Sequence, residues 1–356
     1  MKILLLSPYH SGSHRAWSEG VQRFSSHSVE IDTLPGRFWK WRMHGAAVTF
    51  ARRLQQRLSS GEAPPDLVLA DAMLDLSTFA ALTRRQLADT PLALYLHENQ
   101  LTYPLPNDPT TGAMRRQHNE RDRHYVFINF SSMLTADHIF FNSQFHLESW
   151  FAALPQYLNH FPDYRERSAV DRLREKASVL PVGIDLARLQ RNAPASPARD
   201  DHDPLVLWNQ RWEYDKNPEA FFAALRRLAA RDVRFRVALC GENFSQKPAV
   251  FDRAAQELGS RIIHLGHAEP AVYCALLWDA DITVSTAIHE FFGISVLEAM
   301  YCETFALLPR RLSYPELVPS HLHSSCLYED EADLDNKLDN VIRNSAARRA
   351  VAREMS

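Results

Sequence analysis

Two glutamates bracket a predicted helix start in the C-terminal half and could bind a phosphorylated sugar. The apolar run at 281–284 is typical of a buried strand, and the apolar spacing after residue 293 predicts a helix. Gly293 would let backbone amides approach an anion closely. Glu290 and Glu298 could then accept hydrogen bonds from sugar hydroxyls. The structural alternative is one loop glutamate and one solvated helix glutamate.

Two cations stand in a second strand–turn–helix segment of the same half. Residues 205–208 predict a strand, and Asn217-Pro218 predicts an N-cap followed by proline in the first turn of a helix. Arg211 could clamp a phosphate with two hydrogen bonds, and Lys216 could add a point charge. A departing diphosphate gains negative charge, so fixed cations and helix-start amides could stabilise it without a metal.

Two Asp-x-Asp triplets, at 201–203 and 279–281, are the patterns that could bind a metal in a transferase. The first lies in a predicted linker, and the second lies where a helix ends and a strand starts, away from the expected site. We therefore expect no metal and no other cofactor.

Apolar strands alternate with helical segments along both halves, which predicts parallel sheets covered on both faces. Ligands of such sheets bind beyond the carboxyl ends of the strands. His97 and Asn99 directly follow a predicted strand, and Gly12 lies in the loop after the first strand. Gly241 and His264 occupy comparable positions in the second half. A tight turn at Gly12 and a structural role for His97 are the alternatives.

An aromatic and basic segment lies between the second and third predicted strands. Six basic residues and no acidic residue occur between Pro35 and Arg57, and Trp39, Lys40, Trp41 and Arg42 are among its first residues. Cations hold phosphates and aromatic faces stack on unpaired bases, so this segment could bind nucleic acid. Buried aromatics beside solvated arginines are the alternative. A polar connection at 104–125 carries two more candidate cations, Arg115 and Arg116.

Length and composition predict two domains in a chain that works in the cytosol. The 356 residues suit two ordinary domains, which we place at 1–188 and 204–356 with a linker at 189–203. The last helix is a candidate to pack back on the first domain. The net charge of −3 gives the chain no overall positive field that would attract nucleic acid. Four scattered cysteines without a CxxC pair indicate reduced thiols, and no apolar run is long enough to cross a membrane.

The cations Arg211 and Lys216, together with the spaced glutamates and Gly293, resemble the donor site of retaining family-4 glycosyltransferases of the GT-B type. The resemblance implies two Rossmann-like, doubly wound domains that face each other across a cleft. The whole chain resembles the tRNA-queuosine α-mannosyltransferases more closely. The motifs that carry this likeness are Ser7-Pro8-Tyr9, Ser11-Gly12-Ser13-His14, Trp39-Lys40-Trp41-Arg42-Met43, His97-Glu98-Asn99-Gln100-Leu101-Thr102-Tyr103-Pro104, Phe141-Asn142-Ser143, Trp208-Asn209-Gln210-Arg211-Trp212-Glu213 and Ser313-Tyr314-Pro315-Glu316.

The resemblance implies transfer of mannose from GDP-mannose, with retention, to the cyclopentene diol of queuosine at the wobble position of tRNA-Asp. It implies a catalytic set of Glu290, His97, Arg211 and Lys216. The implied donor-binding residues are Gly12, Arg211, Lys216, Gly241, His264, Glu290, Phe291, Phe292, Gly293, Ile294 and Glu298. The resemblance gives Trp39, Lys40, Trp41 and Arg42 the role of gripping an anticodon loop. The other predicted acceptor-binding residues are His97, Asn99, Arg115 and Arg116, and a solvated surface segment is the alternative for the last two.

Two features depart from the family pattern. Cys302-Glu303 stands where these enzymes have a small residue and glycine, and the near-neutral charge leaves tRNA binding to local patches. Two alternatives stay open at this point. One keeps the fold and uses a small-molecule, lipid or glycan acceptor. The other is an inactive module that binds tRNA or a nucleotide sugar.

Overall fold

The computed structural model describes residues 1–103, 112–193, 202–241 and 249–356, and the side chains of 112–123 lie outside the described part. The chain divides into two compact units, Met1–Ile184 and Asp185–Ser356. This division precedes the boundary predicted after residue 188. The reason is that a short helix, Ala187–Arg191, buries Leu189 in a core cluster of the second unit.

The first unit is built on a six-stranded parallel sheet with the strand order β2-β1-β3-β4-β5-β6. Its elements are β1 (Lys2–His10), α1 (Gly12–Phe24), β2 (Ser28–Pro35), α2 (Trp39–Ser59), β3 (Leu67–Asp71), α3 (Leu76–Thr83), β4 (Leu92–Leu96), α4 (Gly112–Thr135), β5 (His138–Phe141), α5 (Gln144–Leu158), α6 (Ala169–Glu175) and β6 (Ala177–Val179). The chain moves outward from β1 in both directions, so the order reverses between β1 and β3.

The second unit has its own six-stranded parallel sheet, with the order β12-β11-β10-β7-β8-β9. Its elements are α7 (Ala187–Arg191), β7 (Leu205–Trp208), α8 (Pro218–Ala230), β8 (Arg236–Cys240), α9 (Ala249–Leu258), β9 (Ile262–Gly266), α10 (Pro270–Asp279), β10 (Ile282–Val284), α11 (Ile294–Tyr301), β11 (Phe305–Pro309), α12 (Tyr314–Leu317), α13 (His323–Cys326), β12 (Leu327–Tyr328), α14 (Glu331–Arg343) and α15 (Ser345–Met355).

Both sheets confirm the predicted α/β class. Strands β7 and β11 are buried along their whole length, because parallel strands are covered on both faces and tolerate continuous apolar sequence. In the second unit the strand order reverses between β7 and β10, which pair in parallel. Such a reversal leaves a crevice outside the carboxyl ends of the two strands, where doubly wound sheets bind ligands.

One local prediction needs correction. Asn217 does not cap α8 with its side chain; its backbone instead adopts a left-handed conformation with φ 50°, which asparagine tolerates, and Pro218 begins the helix. The last helix, α15, packs on β11 and α11 of its own unit.

The acidic triplet at 279–281 is tied into the fold by arginines. Asp281 pairs with Arg348 of α15 at 2.7 Å, and both side chains are buried. Asp281 also accepts a hydrogen bond from the Leu205 amide at 2.9 Å, while Asp279 lies 3.6 Å from Arg236. These contacts fasten α15 to the start of β10. All four cysteines are buried and free. Within the described ranges, no helix combines the length and apolar character needed to cross a bilayer.

Removing the buried guanidinium should destabilise the second unit strongly. Arg348→Leu leaves Asp281 buried without its charge partner, which we expect to lower the free energy of unfolding by about 3–5 kcal/mol. Urea denaturation followed by tryptophan fluorescence measures this loss. The matched control is Arg343→Leu, because Arg343 is an exposed partner of Asp339 on α14 and its loss should cost less than about 1 kcal/mol. Equal losses in the two variants would contradict the structural role of the buried pair.

Candidate functional site

Two loops that follow the central strands of the second unit are joined into one surface. The Ile288 amide donates to the Asp215 carbonyl at 2.8 Å. The Thr286 hydroxyl donates to the carbonyls of Lys216 and Asn217 at 2.9 and 2.8 Å. These bonds connect the loop after β7 to the loop after β10 at the point where the strand order reverses. Side chains from both loops therefore share one site.

A buried ammonium lies at the centre of this surface. Lys216 is 6% exposed, and its Nζ lies 3.2 Å from Glu290 Oε2 and 3.2 Å from Asp215 Oδ2. It also donates to the His289 carbonyl at 2.9 Å. Burial opposes the charged form, but the carboxylates of Glu290 and Asp215 outweigh burial and raise the pKa of Lys216 above its usual value. The lysine is therefore charged at neutral pH.

The carboxylate of Glu290 is held in a fixed orientation. Its Oε1 accepts hydrogen bonds from the amides of Phe291 and Phe292 at 3.1 and 3.3 Å, while Oε2 faces Lys216. Burial would raise the pKa of Glu290, but the Lys216 charge and the Phe292 amide hold it below its usual value. Glu290 is therefore an ionised hydrogen-bond acceptor beside a cation.

Arg211 supplies a second and more accessible cation. Its side chain is 47% exposed, with Nη1 at 3.1 Å from Glu213 Oε2 and Nη2 at 3.9 Å from Asp215 Oδ2. Asp215 is fully buried and lies within ion-pair distance of both cations. Sequence reasoning missed Asp215. The signal that could have indicated it is its position in the sequence between Arg211 and Lys216, the two cations predicted to bind phosphate. The structure thus brings Arg211, Lys216 and Glu290 together around Asp215.

Gly293 and Glu298 belong to the adjoining helix start. Gly293 has φ 101°, and a Cβ there would lie 3.0 Å from Leu317, so both backbone and space favour glycine. Glu298 is buried one turn inside α11, where it pairs with Arg188 and accepts from the Tyr273 hydroxyl at 2.7 Å. Burial and the Glu298 charge raise the pKa of Tyr273, so its hydroxyl stays protonated and donates. Sequence reasoning missed Arg188 and Tyr273, which are distant in the chain.

One asparagine connects the two groups of residues. Asn209, the first residue after β7, donates from Nδ2 to the Ser295 carbonyl at 2.7 Å and to the Tyr273 hydroxyl at 3.2 Å. Ser295 and the half-buried Ile294 form the first turn of α11, whose amides have no carbonyl partner within the helix. The helix start, Glu298 and the loop that carries Arg211 are therefore held in a common frame.

Two other predicted donor residues lie at the neighbouring strands. A Cβ at Gly241 would come within 2.3 Å of the Gln210 carbonyl and 2.5 Å of the Trp212 ring, so the strand end needs glycine for close packing. His264 lies within the edge strand β9, with Nε2 at 3.3 Å from the Gly266 carbonyl. The structure gives Gly241 a packing role and leaves His264 half-buried at the sheet edge.

In the first unit, predicted residues meet at the reversal between β1 and β3. Gly12 begins α1, and His14 in its first turn lies 2.6 Å from Asp71 Oδ2. His97 Nε2 lies 3.8 Å from the same oxygen, and burial together with the nearby His14 lowers the pKa of His97 to about 3. Asn99 plays a different part, because its Oδ1 accepts from the amides of Leu101 and Thr102 and shapes the loop.

The predicted aromatic and basic segment is divided between packing and exposure. Trp39 packs on Tyr125 with ring centroids 5.2 Å apart, and Lys40 Nζ lies over the same two rings. Phe38 and Trp41 are 70% and 63% exposed, beside the exposed Arg37 and the half-buried Arg42. Arg53 and Arg57, farther along α2, pair with carboxylates. The side chains of Arg115 and Arg116 lie outside the described residues.

Two doubly wound units, one of them carrying cations beside a glycine-led helix start, define a glycosyltransferase of the GT-B fold. A crystal structure of Anabaena Alr3699/HepE in complex with UDP has the same fold, with a TM-score of 0.63 and 16% identity over 99% of this chain and 92% of that chain. Sucrose-phosphate synthase from Thermosynechococcus elongatus matches with a TM-score of 0.65 and 15% identity over 100% of this chain and 93% of that chain.

The sequence comparisons identify the family. A family model described as tRNA-queuosine alpha-mannosyltransferase N-terminal matches residues 2–184, and one described as glycosyl transferases group 1 matches residues 190–355. A tRNA-queuosine alpha-mannosyltransferase of Drosophila melanogaster is 33% identical over 350 residues, which cover 96% of this chain and 87% of the relative. The chain therefore belongs to the tRNA-queuosine alpha-mannosyltransferase family.

His289 should make the protein sensitive to acid. Burial and the Lys216 charge lower the pKa of His289 to about 4, whereas an unfolded histidine titrates near about 6.5. Between these values the unfolded chain binds more protons, so the stabilisation from neutral His289 is complete above about pH 6.5 and is lost as the pH falls. In His289→Asn, the loss of unfolding free energy from about pH 7 to about pH 5 should shrink by about 2 kcal/mol.

Urea denaturation at both pH values measures this change. The control is His160→Asn, because His160 is an exposed histidine of the first unit. A wild-type pH dependence in His289→Asn would show that His289 titrates alike in the folded and unfolded chains.

Proposed function

We propose that this protein transfers mannose from GDP-mannose to the cyclopentene diol of queuosine at the wobble position of tRNA-Asp, in the cytoplasm. The observation that supports this most strongly is the cluster of Arg211, Lys216 and Glu290 beside the start of α11. Its cations and amides suit a diphosphate, and its carboxylate suits sugar hydroxyls. Membership of the family supports the sugar and the acceptor.

The donor diphosphate would bind between the two cations and the amides of Gly293 and Ile294. Arg211 is exposed and can form two parallel hydrogen bonds to phosphate oxygens. Lys216 has three donors and three oxygen partners within reach, so a phosphate would take the place of one carboxylate partner. Fixed cations would then stabilise the charge that develops on the leaving group, and this role needs no metal.

The rest of the donor would extend along the same surface. Glu290 would accept hydrogen bonds from mannose hydroxyls, with the backbone at Phe291 and Phe292 alongside. Glu298 would bind the ribose hydroxyls, since Arg188 and Tyr273 hold its carboxylate in place. Gly241 and His264, after β8 and on β9, would lie toward the nucleotide base.

Transfer with retention requires the acceptor to attack on the face from which the diphosphate leaves. The bond from the anomeric carbon to the phosphate oxygen breaks, and a bond from that carbon to the queuosine hydroxyl oxygen forms. The hydroxyl proton passes to an oxygen of the departing phosphate, so GDP leaves without a proton from the protein. His97 would contact the acceptor.

The anticodon loop would bind the exposed aromatic and basic residues at the start of α2. Phe38 and Trp41 offer open ring faces for unpaired bases, and Arg37 and Arg42 offer cations for the backbone phosphates. Local charge of this kind is sufficient although the chain as a whole carries −3.

The function is tested by product analysis. The full-length protein is incubated with queuosine-containing tRNA and a panel of nucleotide sugars, and digested nucleosides are weighed by mass spectrometry. We expect one hexose to be added to queuosine with GDP-mannose and not with UDP-sugars. Transfer only to a small molecule, lipid or glycan, or no turnover of any nucleotide sugar, would contradict the proposal.

Glu290→Gln should reduce mannose transfer by about 100-fold or more, because the neutral amide loses the charge that orders the sugar and Lys216. The turnover rate with saturating tRNA measures the loss. Glu354→Gln is the matched control, since Glu354 is an exposed glutamate of the last helix, α15, where it pairs with His321. Full transfer by Glu290→Gln would refute the proposed sugar contact.

Trp41→Ala should weaken tRNA binding by about 10-fold, as expected when one base loses a stacking partner worth about 1–3 kcal/mol. Arg42→Ala should reduce the slope of log affinity against log salt by about 1, since one phosphate contact is lost. Gel-shift titration at several salt concentrations measures both effects. Phe24→Ala removes an exposed ring from α1 and serves as the control. Unchanged tRNA affinity in both α2 variants would locate the acceptor elsewhere.

A further inference from the structure

Two histidines and one aspartate converge at the strand-order reversal of the first unit. His14 lies in the first turn of α1, Asp71 ends β3, and His97 follows β4. One ligand atom from each residue lies within 4.8 Å of the others. Asp71 Oδ2 is the shared point, at 2.6 Å from His14 Nδ1 and 3.8 Å from His97 Nε2. A crevice at this position of a doubly wound sheet is where a ligand is expected.

The cluster contains a buried nitrogen whose hydrogen-bonding capacity is unused. His97 Nε2 is buried and has no hydrogen-bond partner among the described residues, although the atom faces Asp71. The His97 side chain is only 9% exposed, and that of Asp71 is 1% exposed. A buried polar atom without a partner costs free energy, so its presence calls for a ligand or a functional explanation.

The surrounding residues hold Asp71 and His97 in place. The Met73 amide donates to Asp71 Oδ1 at 2.9 Å and leaves Oδ2 toward the histidines. Asn142 donates to the His97 carbonyl at 2.8 Å. The His97 ring packs on Trp17 and Tyr95 with centroids 4.6 and 4.7 Å away. Such outer contacts orient metal ligands in proteins and raise their affinity.

We propose that His14, Asp71 and His97 bind one divalent transition-metal ion of the Zn²⁺ type. Zinc ligands lie about 2.0–2.2 Å from the ion, which in a tetrahedral site places neighbouring ligand atoms about 3.3–3.6 Å apart. The observed separations of 2.6 and 3.8 Å lie on either side of this range, so on binding the His14 ring would move away from Asp71 and the His97 ring would move toward it. Two imidazoles and one carboxylate are ligands that zinc, iron and cobalt accept. On binding, His14 Nδ1 would release its proton.

Three protein ligands leave at least one coordination position for an exchangeable oxygen ligand. The cluster lines a pocket that also contains Glu98, Gln100 and Asn129. Met43, Ala72 and Met73 also line this pocket, so the open position would face a mixed polar and apolar surface on which water or a hydroxyl could coordinate. This ion differs from our expectation of no metal. It belongs to the first unit, whereas the diphosphate cluster belongs to the second, and its binding does not depend on the transfer reaction.

The test measures metal binding by the full-length protein. Chelator-treated protein is dialysed against Zn²⁺ and the bound metal is counted by mass spectrometry, and Co²⁺ is added separately to record its visible absorption. We expect one ion per chain and a cobalt spectrum typical of nitrogen and oxygen ligands. His97→Gln, His14→Gln and Asp71→Asn should each weaken zinc binding by about 10-fold or more, since outer-shell changes alone cost that much.

His44→Gln is the matched control, because His44 stacks on His124 in an exposed histidine pair of the same unit that could collect zinc. Near-UV circular dichroism checks that each variant is folded. If one variant fails to fold, the cobalt spectrum of the wild type still tests whether nitrogen and oxygen ligands bind the metal. No retained zinc in the wild type, or wild-type zinc affinity in all three cluster variants, would overturn the site. Loss of binding in His44→Gln alone would also overturn it and assign the metal to the exposed pair.

Discussion

The site of the second unit depends on one buried ammonium that is shared by two carboxylates. Burying an isolated charge costs several kcal/mol, so Lys216 is tolerable only with Glu290 and Asp215 beside it. This requirement joins the loop after β7 to the loop after β10, which the Ile288 and Thr286 hydrogen bonds then fix. The geometry of the helix start at Gly293 follows from the same arrangement, because Glu290 binds the amides immediately before it.

The residues of this cluster differ in exposure, so some can only support the site and others can contact a ligand. Asp215 is buried and lies within ion-pair distance of both cations, so its negative charge offsets theirs inside the protein. The Arg211 side chain is 47% exposed, and it pairs with Glu213. In the proposed donor complex, Lys216 would exchange one carboxylate for phosphate, and loss of the Glu290 contact would leave that carboxylate to the sugar. Binding of the diphosphate and the orientation of Glu290, which would accept hydrogen bonds from the sugar, would thus be coupled through Lys216.

The parts of this account that the sequence predicted are those with local signals. Apolar runs predicted the parallel strands, and Gly293 with Glu290 predicted the helix start, because both depend on neighbouring residues. Arg188, Tyr273 and the His14–Asp71 pair were missed, since each meets its partner across a long stretch of chain. Asn99 is a predicted acceptor contact beside His97, and in the structure its oxygen also accepts from the amides of Leu101 and Thr102. Polar residue type alone cannot distinguish a turn contact from an acceptor contact.

The most direct test of the central claim is a crystal structure of the full-length protein with GDP. The account predicts that diphosphate oxygens lie within hydrogen-bond distance of Arg211, of Lys216 Nζ and of the amides that begin α11. It also predicts that Lys216 has then given up one of its carboxylate contacts. A diphosphate bound elsewhere, with Lys216 still paired to both Glu290 and Asp215, would contradict the account.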